Sequence, residues 1–387
     1  MTQTTDSIFK VIDSDFDSNE TKAALDKLAE HFRQQGQPHR LFEVLKMQNR
    51  LRHGLKPVSW KSMDDLPDDL RQKLEEGLLD ACQEAGLLAL NLGQFASAWN
   101  YLEPLNDRVL VRKQFEVAEI TEENSDEAIE VLFHHGAHPA LGMQTILKYH
   151  GTCNAITIFD SSAYMMPSDL RAEVATVLIS HFCHELLAGI KRCNDCDWDW
   201  ATLDSKLKDS LTFVQALSGV PHVDATHLNS VVRIGRFANS DTAYQNLTTL
   251  CRYGQQLPAM LHFAGEGILS DHYCDHLLYF DGLLGTRRDI AISEFTEKLS
   301  RSQNTAAFPH DVETIVAWIY KMQEYEKAIE IVIKFGGESF GELGLAPGLM
   351  ELATHCSPRS LAPLMERFQR DGDALGYAMI RILMSGN

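Results

Sequence analysis

The residues best suited to chemistry lie in the central and second half of the chain. "HFCHELLAGIKRCNDCDWDW" runs from His181 to Trp200 and holds two histidines, a glutamate and three cysteines. His181 and Glu185 are four residues apart, the spacing that puts two side chains on one face of a helix. His272 and His276 in "SDHYCDHLLYF" repeat that spacing. In "HVDATHLNSVVRIGRF", Asp224 or Thr226 can cap a helix N-terminus, which places His227 in the first turn. A helix N-terminus disfavours a protonated imidazole, so His227 there is a neutral ligand or base. Bundles build metal sites from histidines and carboxylates projected inward by facing helices. His181, Glu185, His227 and His276 are therefore the candidate ligands for a divalent ion such as zinc, iron or manganese. The competing reading is structural. A buried imidazole is satisfied by a carboxylate or carbonyl, and His272 and His276 lie on a partly exposed polar helix face.

The other motifs are incomplete. Cys193 and Cys196 form a CxxC, but a structural zinc needs four ligands and no second CxxC exists. A polar turn carrying two thiols is the expectation. His272 is not followed by glutamate, so zinc-protease chemistry is absent. "GTRRD" and "KFGGESFGELG" are glycine-bearing loops that match no phosphate-loop pattern, and no GxSxG occurs. With no complete catalytic signature, the chain reads as a binding protein before an enzyme.

The elements that must carry these residues are helices. Apolar residues recur at intervals of three and four, as in Leu170, Val174, Val177, Leu178, His181, Phe182 and Leu186. "TCNAITIF" suits a short strand by propensity, or a second helix after Gly151. Three stretches carry a hairpin pattern: small and apolar residues in one helix, a turn, then alanine in the next. They are "LAEHFRQQGQPHRLFEVL", "AGLLALNLGQFASAWNYL" and "IVAWIYKMQEYEKAIEIV". Gly36, Gly93 and Gln323 fall at the turns. Ala98 and Ala328 fall where close helix approach requires a small residue.

These offsets resemble the tetratricopeptide repeat. "YHGTCNAITIFD", "HFCHELLAGI" and "VDATHLNSVVRIGRF" add a likeness to bacterial helical-repeat proteins, which implies a fold and no activity. The resemblance implies an all-α superhelix or solenoid of helical hairpins with an irregular central block. Tetratricopeptide domains that clamp chaperone tails use Lys, Arg and Asn on the inner helix face. The corresponding positions here are Asp26, Glu30 and Arg33, then Asp80, Gln83 and Asn91, then Glu313, Tyr320 and Lys321, which is not a basic clamp.

Composition bounds the partners. The 387 residues include 54 acidic and 35 basic side chains, a net charge of −19. That opposes nucleic acid and anionic membrane surfaces and favours a neutral or basic protein or peptide partner. The first residues lack a positive segment followed by an apolar run, and no stretch of about 20 residues is uninterruptedly apolar, so neither a signal peptide nor a membrane span is expected. Most of the eight cysteines sit in apolar helical patterns, as buried thiols do, which suits a reducing cytoplasm.

The expected organisation is a disordered tail (1–20), an N-terminal helical-repeat region (21–110), a central helical region (111–217) and a C-terminal helical-repeat region (218–387). The expected function is a cytoplasmic scaffold for protein or peptide binding. The alternative is a metal-dependent enzyme or metal-binding protein built on the central histidines. Nothing ligand-specific marks a nucleotide or small-molecule sensor. The net charge makes one prediction. The protein will not be retained on duplex DNA resin at physiological salt, and retention there would expose a basic face around Arg233, Arg236, Arg287 and Arg288.

Overall fold

The computed structural model describes residues 9–10, 13, 20–59, 63–214, 222–337 and 340–385. Most of the expected tail at 1–20 and most of the break expected at 217–224 lie outside the described residues; residues 9, 10 and 13 of the tail are described and helical. Among the described residues there are eighteen α-helices and no strand; an isolated bridge joins Ala264 to Asp271. The chain is all-α. It divides into two compact units, Met1–Ser162 and Ala163–Asn387, a division that falls within the expected central region.

The N-terminal unit holds α1 (Thr21–Gln34), α2 (Pro38–Arg52), α3 (Asp68–Asn91), α4 (Phe95–Leu102), α5 (Arg108–Glu116), α6 (Ser125–Ile129) and α7 (Pro139–Ser162). Each of α1 to α3 packs on the next helix in the chain. The turns are set by backbone conformation: Gly36 and Gly93 have φ of +61° and +71°, a region that costs L-residues with a Cβ. Small residues then set the spacing of α3 and α4. A Cβ at Gly86 would sit 2.7 Å from the Leu102 side chain, and Ala98 is fully buried. Phe95, Leu102, Val111, Phe115 and Leu132 complete that core.

"TCNAITIF" is helical: α7 kinks at Gly151 (φ +80°) and continues. Asn124 precedes the first turn of α6, and the Ser125 hydroxyl donates back to the Glu122 carbonyl.

The C-terminal unit begins with α8 (Ser168–Asn194), α9 (Trp200–Asp209), α10 (Ala225–Ile234) and α11 (Asp241–Gln255). It continues with α12 (His272–Leu283), α13 (Arg288–Ser302), α14 (Phe308–Lys321) and α15 (Tyr325–Phe335), and ends with α16 (Leu349–Thr354), α17 (Pro358–Asp371) and α18 (Ala374–Ser385). From α10 to α15 each helix packs on its chain neighbour, and α12 also packs on α10 and α14. Trp318 on α14 anchors this core. Its ring stacks on Tyr279 at 5.5 Å, meets Phe295 edge-on at 5.1 Å, and its indole N–H donates to the Tyr279 carbonyl at 2.9 Å. The α14–α15 turn is made by Gln323 at φ +61°, and Ala328 is fully buried behind it.

Among the described residues α8 alone is long and apolar enough to cross a membrane. It packs against α9, α10 and α11 and buries ten of its residues, as a core helix does. It ends at Asp195 in the left-handed conformation, and the CxxC lies in this turn, with Cys193 exposed and Cys196 half-buried. All eight cysteines are free, and only Cys183 and Cys251 are buried, so the expectation of mostly buried thiols is corrected. The others are half-buried or exposed.

The packing at Ala98 generates a test. Ala98→Leu will overpack the α3–α4 contact and lower unfolding stability by about 1–3 kcal/mol, read as a reduced denaturation midpoint.

Candidate anion-binding cavity

The four predicted metal ligands fall in different environments. His181 and Glu185 meet on α8 with Nε2 and Oε1 3.4 Å apart, their side chains 34% and 40% exposed. They form a half-exposed helix pair and not the core-facing polar spot that the apolar stripe suggested. Asp224 caps α10, accepting from the N–H groups of Thr226 and His227, and His227 occupies the first turn as expected. His276 is 2% exposed and His272 4% exposed, so the expected half-exposed polar face is buried instead. The reason is the covering of α12 by α10, α11, α13 and α14. Among the described residues no three His, Cys, Asp or Glu side chains gather as a metal-binding group.

The buried histidine pair is organised by carbonyls. His276 Nδ1 donates to the His272 carbonyl at 2.7 Å, and His272 Nε2 donates to the Asn229 carbonyl at 3.1 Å. His276 Nε2 therefore carries a lone pair, with no partner among the described residues. It borders a cavity of about 40 Å³ shared with Asn229, Arg233 and Arg236. Burial lowers the pKa of His272 to about 4 and that of His276 well below the usual imidazole value, and Arg233 and Arg236 push both the same way. A third buried imidazole, His222, bonds the Tyr253 hydroxyl and Asn194.

A larger cavity, of about 350 Å³, lies on the other side of Arg236. Its lining includes Arg171, Arg236, Lys321, Phe237, Tyr279 and His310. α8 contributes Arg171, the short turn Gly235–Phe237 after α10 contributes Arg236 and Phe237, and α14 contributes His310 and Lys321.

The three cations are held by neutral groups. Lys321 Nζ donates to the carbonyls of Arg236 at 2.6 Å and Ala238 at 3.0 Å. Arg236 Nε donates to the Arg233 carbonyl at 3.2 Å. Arg171 donates to the Ala163 carbonyl at 3.3 Å and lies 4.9 Å from the Phe237 ring centroid, a cation–π arrangement. Among the described residues none of the three forms an ion pair with a carboxylate. Asp169, exposed at the start of α8, is the one carboxylate in the described lining.

Lys321 as a whole residue is exposed, but its ammonium is drawn in against the two carbonyls and partly desolvated there. That burial, and then the charges of Arg171 and Arg236, lower its pKa to about 8. Burial also lowers the pKa of Arg171. Tyr279 is 3% exposed, its hydroxyl has no hydrogen-bond partner among the described residues, and burial raises its pKa.

Two further features shape the wall. α8 opens at the cavity with Ser168 and Asp169, and Pro167 at its cap position supplies no side-chain acceptor, so the first-turn N–H groups remain available to an anion. Gly344 and Leu345 come from the loop after α15, and that loop is held by Glu313. Glu313 is 1% exposed, and its carboxylate accepts from the N–H groups of Gly341 (2.8 Å), Leu343 (3.3 Å) and Leu345 (3.0 Å). Gly341 and Gly344 adopt φ of +92° and +67°, which lets the loop curl around the carboxylate. The loop from Gly341 to Leu345 thus cradles an anion that belongs to the chain itself.

Chemically, the cavity offers unspent donors: one N–H of Lys321, both terminal NH₂ groups of Arg236 and most of the Arg171 fork. Thr314 Oγ1 and His310 Nδ1 stand 3.5 Å apart, a weak contact. The geometry suits binding of an anion. No protein-family model matches the chain, nor does any curated protein or solved structure.

The histidine pair makes the pH prediction. Unfolded, both imidazoles titrate near pH 6.5; folded, burial holds His272 at about 4 and His276 well below the usual imidazole value. Between those values the unfolded chain binds protons that the folded chain does not, so stability falls as pH falls. Denaturant titrations between pH 6.5 and 5 will show this loss, and His276→Phe will flatten the slope by up to ~1.4 kcal/mol per pH unit.

Proposed function

We propose that this chain is a helical-repeat binding protein whose C-terminal unit receives an anionic group of a protein or peptide partner in the cavity of Arg171, Arg236 and Lys321. The observation that carries the reading is three cations facing one cavity with no carboxylate partner in a chain of net charge −19. Like charges gathered at one cavity repel one another, and an anion relieves that repulsion. The helical hairpins with turns at Gly36, Gly93 and Gln323 support a tetratricopeptide-like array, which offers extended surface for a partner segment. The partner expected from net charge was neutral or basic; the local field at this cavity favours an acidic group on an otherwise neutral segment.

Fluorescence anisotropy with a short labelled peptide carrying consecutive glutamates tests the reading. The peptide will bind, the affinity will weaken as salt rises, and Arg171→Glu with Arg236→Glu will lower it by about tenfold or more. Equal affinity in the charge-reversed protein, or preference for the matching lysine peptide, would overturn it.

A further inference from the structure

We infer that the group seated in the cavity is a phosphate monoester. The inference rests on the reading of the cavity as an anion site and narrows it.

Charge is the first reason. A carboxylate brings one negative charge and is satisfied by a single guanidinium fork. Here two guanidinium groups and an ammonium line one cavity, so a carboxylate would leave cations uncompensated in surroundings that already depress the pKa of Lys321 and Arg171. A phosphate monoester carries about −1.5 to −2 at neutral pH and three acceptor oxygens.

Direction is the second reason. The donors come from separate elements: α8 supplies Arg171 and its open first turn, the Gly235–Phe237 turn supplies Arg236, and α14 supplies Lys321. Such a set suits a tetrahedral group with several oxygens better than a planar one. Tyr279 adds a neutral donor, a hydroxyl on a buried residue that lines the cavity without a protein partner. Asp169 is the opposing charge in the lining, and it is exposed to solvent.

Size is the third reason. At about 350 Å³ the cavity exceeds what a bare phosphate ion fills and lies near the lower end of ligand pockets, roughly 300–1,000 Å³. A phosphoryl group with a side-chain-sized organic part fits that space. Tyr164, 62% exposed and edge-on to Phe237, lines the same cavity and offers that part an aromatic contact. The same chemistry exists on a phosphorylated protein side chain and on a free small-molecule ester.

Isothermal titration calorimetry on the full chain, at fixed ionic strength, separates the possibilities. The probes are phenyl phosphate, benzenesulfonate, benzoate, inorganic phosphate and a short phosphotyrosine peptide. Phenyl phosphate will bind about tenfold or more tighter than the sulfonate, the benzoate and inorganic phosphate. Arg236→Gln will weaken it by about tenfold, and the near-isosteric Tyr279→Phe by several-fold, with unchanged melting temperature as the folding control for the latter. Arg301→Gln, at an exposed pair with Glu297, will leave binding unchanged. A phosphopeptide tighter than phenyl phosphate assigns the source to a protein; the reverse order assigns it to a free ester. If benzoate or benzenesulfonate binds as tightly as phenyl phosphate, the anion reading stands and the phosphate inference falls. If phenyl phosphate binding is indifferent to both Arg236→Gln and Tyr279→Phe, or absent from the folded protein, the inference is overturned; if the acidic peptide also fails to bind, the broader reading falls with it.

Discussion

A carboxylate buried to 1% exposure must find donors or lose its charge, and Glu313 finds three in one loop. That constraint organises the C-terminal unit. Glu313 and Lys321 sit two turns apart on α14, and Trp318 between them locks the helix to α12 and α13. One helix therefore fixes the loop that brings Gly344 and Leu345 to the cavity wall, the core beneath it and one of its cations. The negative charge of α14 is consumed by backbone N–H groups. None of it is left to pair with the positive charges alongside.

The same economy holds the cations. Lys321 is tethered to the segment of Arg236 through two carbonyl oxygens, Arg236 to the Arg233 carbonyl, and Arg171 to the Ala163 carbonyl and the Phe237 face. Carbonyls and aromatic faces position a cation without neutralising it, so its field persists in the cavity. Several other cations of the unit are paired with carboxylates: Arg252 with Asp204 and Asp281, Lys298 with Asp275, Arg288 with Glu324. The contrast within one acidic domain is what marks the cavity as a site.

The helices and their turns were legible in sequence because local signals decide them. Gly36, Gly93 and Gln323 make left-handed turns where the hairpin pattern put them, and Ala98 and Ala328 are buried at the expected close contacts. The cavity was not legible. Its cations come from positions 171, 236 and 321, brought together by tertiary packing, and a net charge averaged over the chain hides a local excess of the opposite sign. Lys321 did stand on the helix face compared with chaperone-tail clamps, but its helix neighbour Glu313 read as a cancelling charge. Only the loop from Gly341 to Leu345 shows that Glu313 faces away from that role. His272 and His276 misled differently. The flanking Asp271 and Asp275 suggested a wet face, whereas Asp271 caps α12 and Asp275 is buried against Lys298.

The histidine pair and the cavity share Arg236, and their chemistry is consistent. A buried imidazole is often satisfied by a carboxylate. A carboxylate beside His276 would also have reached Arg236, which borders the same small cavity, and would have neutralised it. Glu266 lines that small cavity as an exposed residue and makes no ion pair with Arg236. Instead the imidazoles donate to the carbonyls of His272 and Asn229 and stay neutral, a state that burial and the field of Arg233 and Arg236 both favour. Neutral histidines bordering Arg236 and a Glu313 bound by backbone N–H groups have one consequence in common: neither neutralises the guanidinium, whose terminal nitrogens stay uncommitted where it lines the larger cavity, as the proposed anion site requires.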